Sequence, residues 1–282
     1  MTKEEFRNHG TIILDGATGS NLMKAGMPRG VCPELWNLEH PEVVQRLQRA
    51  YAESGSQIVY APTFTASEPY LSQHGLTDRL EEINSRLVAL SRQAVGEHVF
   101  VAGDMTTVGK PDLSYEYLLE VYTRQAKALK EAGVDLYVIE TMMGLDETMA
   151  ALEACSMVSE LPVMCSFSVT ADGMLYFGGS IYDAAPQLEG FGADAVGINC
   201  SCGPDQMVAV VKGIAQVTNI PVIAKPNAGM PTIDEQGNAV YSMAPDEFAK
   251  GMLELKTAGA SVLGGCCGTD PSYIKALKEV VG

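Results

Sequence analysis

Ser261-Val262-Leu263-Gly264-Gly265-Cys266-Cys267-Gly268-Thr269, followed by a helical stretch from Pro271 to Val281, sets the reading of the whole chain. A short apolar run without strict polar alternation reads as a parallel strand buried on both faces. Working back towards the N-terminus, the same kind of run appears seven more times. These runs are Thr11 to Leu14, Gln57 to Tyr60, Val99 to Ala102, Leu136 to Ile139, Pro162 to Ser166, Ala195 to Ile198 and Pro221 to Ala224. Helical patterns separate them. Pro41 to Ser54 opens on a proline, a good first helical residue, and several others close on glycine, as a helix C-terminus should. Eight strand–helix alternations predict one (β/α)8 TIM-type barrel over residues 1–282. An open doubly wound sheet is the other topology this pattern permits. Longer connections are expected around Gly19 to His40 and Met230 to Met243.

In such a barrel the chemistry belongs to the loops after the strands. Those loops begin Asp15-Gly16-Ala17-Thr18-Gly19-Ser20, Ala61-Pro62-Thr63-Phe64, Gly103-Asp104, Glu140-Thr141, Asn199-Cys200-Ser201-Cys202, Lys225-Pro226-Asn227-Ala228-Gly229 and Gly264-Gly265-Cys266-Cys267. Polar and sulfur-bearing residues thus gather at one end of the predicted barrel, which strand periodicity alone does not require.

The bulk composition narrows the function. The chain has 282 residues, is 46% hydrophobic and 19% charged, and carries a formal net charge of −16. A nucleic-acid partner calls for a basic footprint, and this chain lacks one. No apolar run approaches the roughly 18 residues of a membrane span, and the N-terminus has no signal-peptide core, so a cytoplasmic protein is expected. The seven cysteines, odd in number and two of them adjacent, do not form a disulfide framework pattern. Metal or catalytic roles are favoured.

Cys266 and Cys267 can both turn their sulfurs on one ion, because the flanking glycines let the backbone fold tightly. Strand 6, which delivers Cys200, lies near strand 8 around the ring. Three thiolates suit zinc, and three protein ligands leave a fourth position open, as in a catalytic site. Without a metal the same residues read as buried apolar-like cysteines. Cys202 rivals Cys200, and Cys200 is preferred because it lies nearer the strand end. His9, His40, His74 and His98 fall away from the strand ends.

Together, Asp15 to Gly19, Glu140-Thr141, Gly197-Ile198-Asn199-Cys200, Pro226 to Gly229 and Gly264 to Thr269 resemble the homocysteine S-methyltransferase family, in order and over nearly the whole chain. Cys32-Pro33-Glu34-Leu35-Trp36-Asn37-Leu38 and the stretch Val240 to Ala249 are most similar to the homocysteine-binding module of cobalamin-dependent methionine synthase. The resemblance implies zinc on Cys200, Cys266 and Cys267, with Asn227 as a resting fourth ligand and the substrate thiol as incoming ligand. It also implies that Asp15 and Glu140 bind the ammonium group of the amino acid. Gly16 and Ala17 are expected to meet its carboxylate, and Thr63 and Asn199 are the remaining expected substrate contacts. The sequence departs from the family pattern at Ala61-Pro62, Thr106-Thr107 and Leu175 to Gly178, positions that barrel logic places at the substrate mouth.

The chemistry has a physical rationale. A free thiol titrates near 8.5, so little thiolate exists at neutral pH, and a coordinated thiol is deprotonated outright. No Asp-x-His-x-x-Gly segment surrounds any histidine, so the expected donor is methylcobalamin on a separate corrinoid protein. S-methylmethionine, S-adenosylmethionine and betaine are the alternatives. From another class comes a zinc-free barrel isomerase or lyase binding phosphate at Gly264-Gly265; a non-catalytic zinc module is the third reading.

Overall fold

The computed structural model describes every residue except Gln236 and Asn238. Eight parallel strands form one nearly closed sheet: β1 (Ile12–Ile13), β2 (Ile58–Tyr60), β3 (Phe100–Thr106), β4 (Leu136–Met142), β5 (Val163–Phe167), β6 (Ala195–Asn199), β7 (Val222–Lys225) and β8 (Ala260–Leu263). Going round the ring the order is β1-β8-β7-β6-β5-β4-β3-β2. Each strand falls on an expected run. β3 and β4 run further than their apolar stretches, through Asp104, Thr106 and Glu140, because their ladder continues in the register Asp104↔Val138 and Thr106↔Glu140. Helices follow the strands and pack on the outside, among them Pro41–Ser54, Leu80–Val95, Tyr115–Glu131, Leu145–Val158, Pro204–Val217 and Pro271–Val281. The fold is the expected TIM-type α/β barrel.

Two apolar layers follow from the topology. Outward-facing strand residues such as Val59, Val101, Ile139, Val196 and Leu263 pack on the helices. Inward-facing ones, including Leu14, Ile58, Val138, Met164, Ile223 and Val262, fill the barrel. Each such side chain, fully buried, contributes about 1.5–3 kcal/mol. The short helix Lys3–Arg7 closes the bottom. Thr2 and Glu5 cap it reciprocally, Phe6 enters the inner cluster, and Arg7 Nε donates to buried Asp194 at 2.8 Å.

The sheet has one distinctive seam. Between β1 and β2 the backbone supplies the bond from Gln57 N–H to Ile13 O at 2.7 Å. Side chains supply others: Ile13 N–H donates to Gln57 Oε1 at 2.8 Å, Ser56 Oγ to Leu14 O at 3.1 Å, and Tyr60 N–H to Asp15 Oδ2 at 2.8 Å.

Candidate metal centre

Cys200 leaves the end of β6 in the left-handed region, at φ 52°. That conformation costs a non-glycine residue about 1–2 kcal/mol. Asn199 fixes it in place. Fully buried, its Oδ1 accepts from Thr141 N–H and Ser166 Oγ, both at 2.9 Å, and its Nδ2 donates to Thr141 Oγ1 at 2.7 Å. Cys266 and Cys267 sit in the loop after β8, which is tied to its neighbours by backbone bonds. Gly265 N–H reaches Asp15 O at 3.0 Å, Cys266 N–H reaches Pro226 O at 2.7 Å, and Ala228 N–H reaches Cys267 O at 2.9 Å. Gly268 has φ 86°, and a Cβ there would lie 2.3 Å from Tyr241. Only glycine lets this loop turn so tightly.

These ties bring the sulfurs of Cys200, Cys266 and Cys267 within 4.8 Å of one another, with Cys200 and Cys267 3.5 Å apart. Thiolates at about 2.3 Å from a tetrahedral zinc would stand ~3.8 Å apart, so the spacing fits that ion. Cys202 does not belong to the cluster, and no histidine joins it among the described residues. Its backbone O instead accepts from Asn227 N–H at 2.9 Å. Asn227 Oδ1 is buried without a hydrogen-bond partner, so it is available as an acceptor. The triad is electrostatically uneven. Hydrogen bonds from Cys200 and Cys266, with help from Tyr241, hold the Cys267 thiol far below its ordinary range. Cys266 is pushed well up, first by its bonds to Cys200 and Cys267 and then by burial. For Cys200 the bond with Cys266 acts downwards, but the bond to Cys267 and burial prevail and carry it to about 12.

The three cysteines line a cleft of about 370 Å3 together with Gly16, Ala17, Asp104, Glu140 and Lys225, a volume suited to a small metabolite. Leu22, Met27, Pro62 and Phe64 form apolar parts of its wall. Asp15 is buried behind it, with Oδ1 3.2 Å from Lys225 Nζ; Glu140 Oε2 lies 3.9 Å from the same ammonium. Lys225 is itself buried, 4.1 Å above the Tyr60 ring centroid. Burial pushes the carboxyls of Asp15, Glu140 and Asp104 up; Lys225 opposes this at all three.

Several expected contacts lie elsewhere. Thr63 and Asn199 sit one layer back from the cleft. Thr63 Oγ1 is fully buried, donating to Asp104 O at 2.9 Å and accepting from Asp104 N–H at 3.0 Å. Both side chains are bonded within the protein beside acids, Thr63 to the Asp104 backbone and Asn199 Nδ2 to Glu140 Oε2 at 3.4 Å. Thr106 and Thr107 are buried too, bonded to Glu140 O at 2.9 Å and Glu147 Oε2 at 2.6 Å, and neither lines the cleft. Phe177, in the Leu175 to Gly178 run, packs near Gly144 instead. Of the departures, only Ala61-Pro62 line the cleft. A phosphate at Gly264-Gly265 finds no free donor, because Gly264 N–H is taken by Ala224 O and Gly265 N–H by Asp15 O. Lys225 and Asp104 received no role from the sequence. The one signal was a charged residue at or just beyond the end of an apolar run.

The family model described as homocysteine S-methyltransferase matches residues 12–281. The chain belongs to that family. Within the homocysteine S-methyltransferase family, curated relatives are the methionine synthases of Mycobacterium tuberculosis and Mycobacterium leprae, each 29% identical over 294 residues and 96% of this chain. The chain spans about a quarter of their length, 24% in each case. Among solved structures, the oxidized form of the homocysteine methyltransferase MmuM from Escherichia coli superposes with a TM-score of 0.82 at 24% identity, covering 95% of both chains. Its metallated form gives 0.81 at 23% identity, covering 96% of both. These two likenesses concern the fold.

Proposed function

We propose that this homocysteine S-methyltransferase family member transfers a methyl group to a thiol held on zinc by Cys200, Cys266 and Cys267, with homocysteine as acceptor and methionine as product. The observation that carries the reading is the convergence of three sulfurs, from the ends of β6 and β8, on one side of a cleft that also holds buried acids. Zinc bound there supplies a Lewis acid that deprotonates an incoming thiol at neutral pH. The chain's own residues do the rest. The triad contributes three anionic sulfurs, which keep the acceptor sulfur electron-rich. Asn227 Oδ1, buried and unpartnered, would be the further protein donor to the metal in the absence of the acceptor. The Gly16–Ala17 backbone borders the place for the substrate carboxylate. Apolar wall residues such as Leu22, Met27 and Phe64 exclude water from the sulfur.

The transfer balances simply. The acceptor loses its thiol proton to solvent on binding, and a sulfur lone pair forms the S–CH3 bond. The donor–CH3 bond breaks, and its electron pair leaves with the donor. A methylcorrinoid on a separate protein is the proposed donor, supported by the likeness to methionine synthases, of which this chain spans about a quarter. The reading is tested by metal analysis and by an assay crossing homocysteine with methylcobalamin, S-methylmethionine, S-adenosylmethionine and betaine. About one zinc per chain is expected, and Cys267→Ala should lose both the zinc and more than 99% of turnover. Zinc-replete protein that alkylates no thiol with any donor would exclude the proposed reaction.

A further inference from the structure

Lys225 is the charge of the cleft that has no role so far. It ends β7, and among the described residues it is the one basic side chain in the wall, against three acidic ones, Glu34, Asp104 and Glu140. Only 4% of it is exposed. Its ammonium is closely placed. Nζ stands 3.2 Å from Asp15 Oδ1, 3.9 Å from Glu140 Oε2 and 4.1 Å from the centre of the Tyr60 ring. The stem passes Gly264, where an added Cβ would come 3.4 Å from Lys225 Cε. A buried charge persists only when it is paired, and Asp15 supplies the pairing from behind the cleft. A lysine ammonium has three donors, so one ion pair does not exhaust it.

The acceptor's carboxylate calls for such a donor. The backbone expected to meet it, Gly16 and Ala17, is partly engaged, because Ala17 N–H donates to Thr269 Oγ1 at 3.1 Å. Of the charged side chains in the wall, the three acids repel a carboxylate and Lys225 alone attracts it. An α-amino acid carries its ammonium and its carboxylate on the same carbon. With the ammonium against Glu140, the carboxylate can lie beside Lys225, whose Nζ is 3.9 Å from that acid. Acid, ammonium, carboxylate and lysine then alternate in sign.

Resting on the thiol-acceptor reading above, we infer that Lys225 recognises the carboxylate of the acceptor and is a specificity-determining residue, which selects aminothiol acids over plain aminothiols. Asp15 and Tyr60 position it, one by its charge and the other by its ring face.

Calorimetric titration of the zinc-loaded protein tests this, with homocysteine and with homocysteamine, the same aminothiol without the carboxylate. The unsubstituted protein should bind homocysteine at least tenfold more tightly. Lys225→Met keeps a stem of similar length beside Gly264 and removes the charge. The preference for homocysteine should then fall about tenfold, as expected for loss of one charge-assisted hydrogen bond. Homocysteamine should bind the variant as tightly as before or more tightly, since the acids lose a competing cation. A preference that survives in Lys225→Met, with both thiols moved by the same factor or by none, overturns the assignment and leaves Lys225 a counter-ion of Asp15. Equal affinity of the unsubstituted protein for the two thiols also overturns it. Should Lys225→Met fail to fold, the same ratio is read in Lys225→Gln, which stays polar but carries no charge. If neither thiol binds the unsubstituted zinc-loaded protein at all, the thiol-acceptor reading itself falls, and this assignment with it.

Discussion

At the residue scale the metal-free triad has a testable asymmetry. Cys267 is held well below an ordinary thiol by the bonds from Cys200 and Cys266, while those two are pushed up. A thiol titrating near 8.5 loses about a hundredfold in thiolate between pH 7.5 and 5.5. Cys267, whose titration lies below that window, stays ionised throughout it. Alkylation of Cys267 by iodoacetamide in chelated protein, followed by peptide mass spectrometry, should change less than about twofold across the same interval. A hundredfold fall would show that the neighbouring sulfurs do not stabilise the thiolate. The residues of this cluster were legible in the sequence through the family resemblance, since spacing alone left buried apolar-like cysteines as an equal reading. Choosing Cys200 over Cys202 also followed from distance to the strand end. Lys225 was legible only as a polar residue ending an apolar run. Its pairing with Asp15 is made by strands at opposite ends of the chain, and no local pattern carries that information.

At the element scale β6 and β7 are the critical pair, since they deliver Cys200 and Asn227. Gly197 lets them approach. A Cβ at this position would fall 2.0 Å from Ile223 O, a backbone atom that cannot swing aside. Gly197→Ala should therefore force the strands apart. Overpacking of this kind costs about 1–3 kcal/mol, and thermal denaturation should drop by several degrees, with zinc content falling in step. An unchanged melting temperature would mean that the pair tolerates separation. The eight strands were readable because each is a short apolar run closed by polar residues. The helices Gly19–Lys24 and Pro33–Glu39, which occupy the long first connection, were not. At six and seven residues they are too short to show a period of 3.6 or to be stable without the barrel beneath them.

At the scale of the whole molecule the two buried layers, inside the barrel and under the helices, predict a fold that does not need a metal. Chelation should leave the far-ultraviolet circular dichroism unchanged and lower the melting temperature by a few degrees, because zinc adds only its binding linkage to the native state. Collapse of the spectrum on chelation would identify the metal as structural. Counting eight strands favoured closure, as the fold bears out; what was not legible is how the seam between β1 and β2 is completed, by the Gln57, Ser56 and Asp15 side chains. That seam has a further consequence. The carboxylate that clasps the ring at Tyr60 also carries the ammonium of Lys225 on its other oxygen. A change of side chain at position 15 would thus unfasten the wall and unbalance the mouth in one stroke, and selection cannot retune one of these without the other.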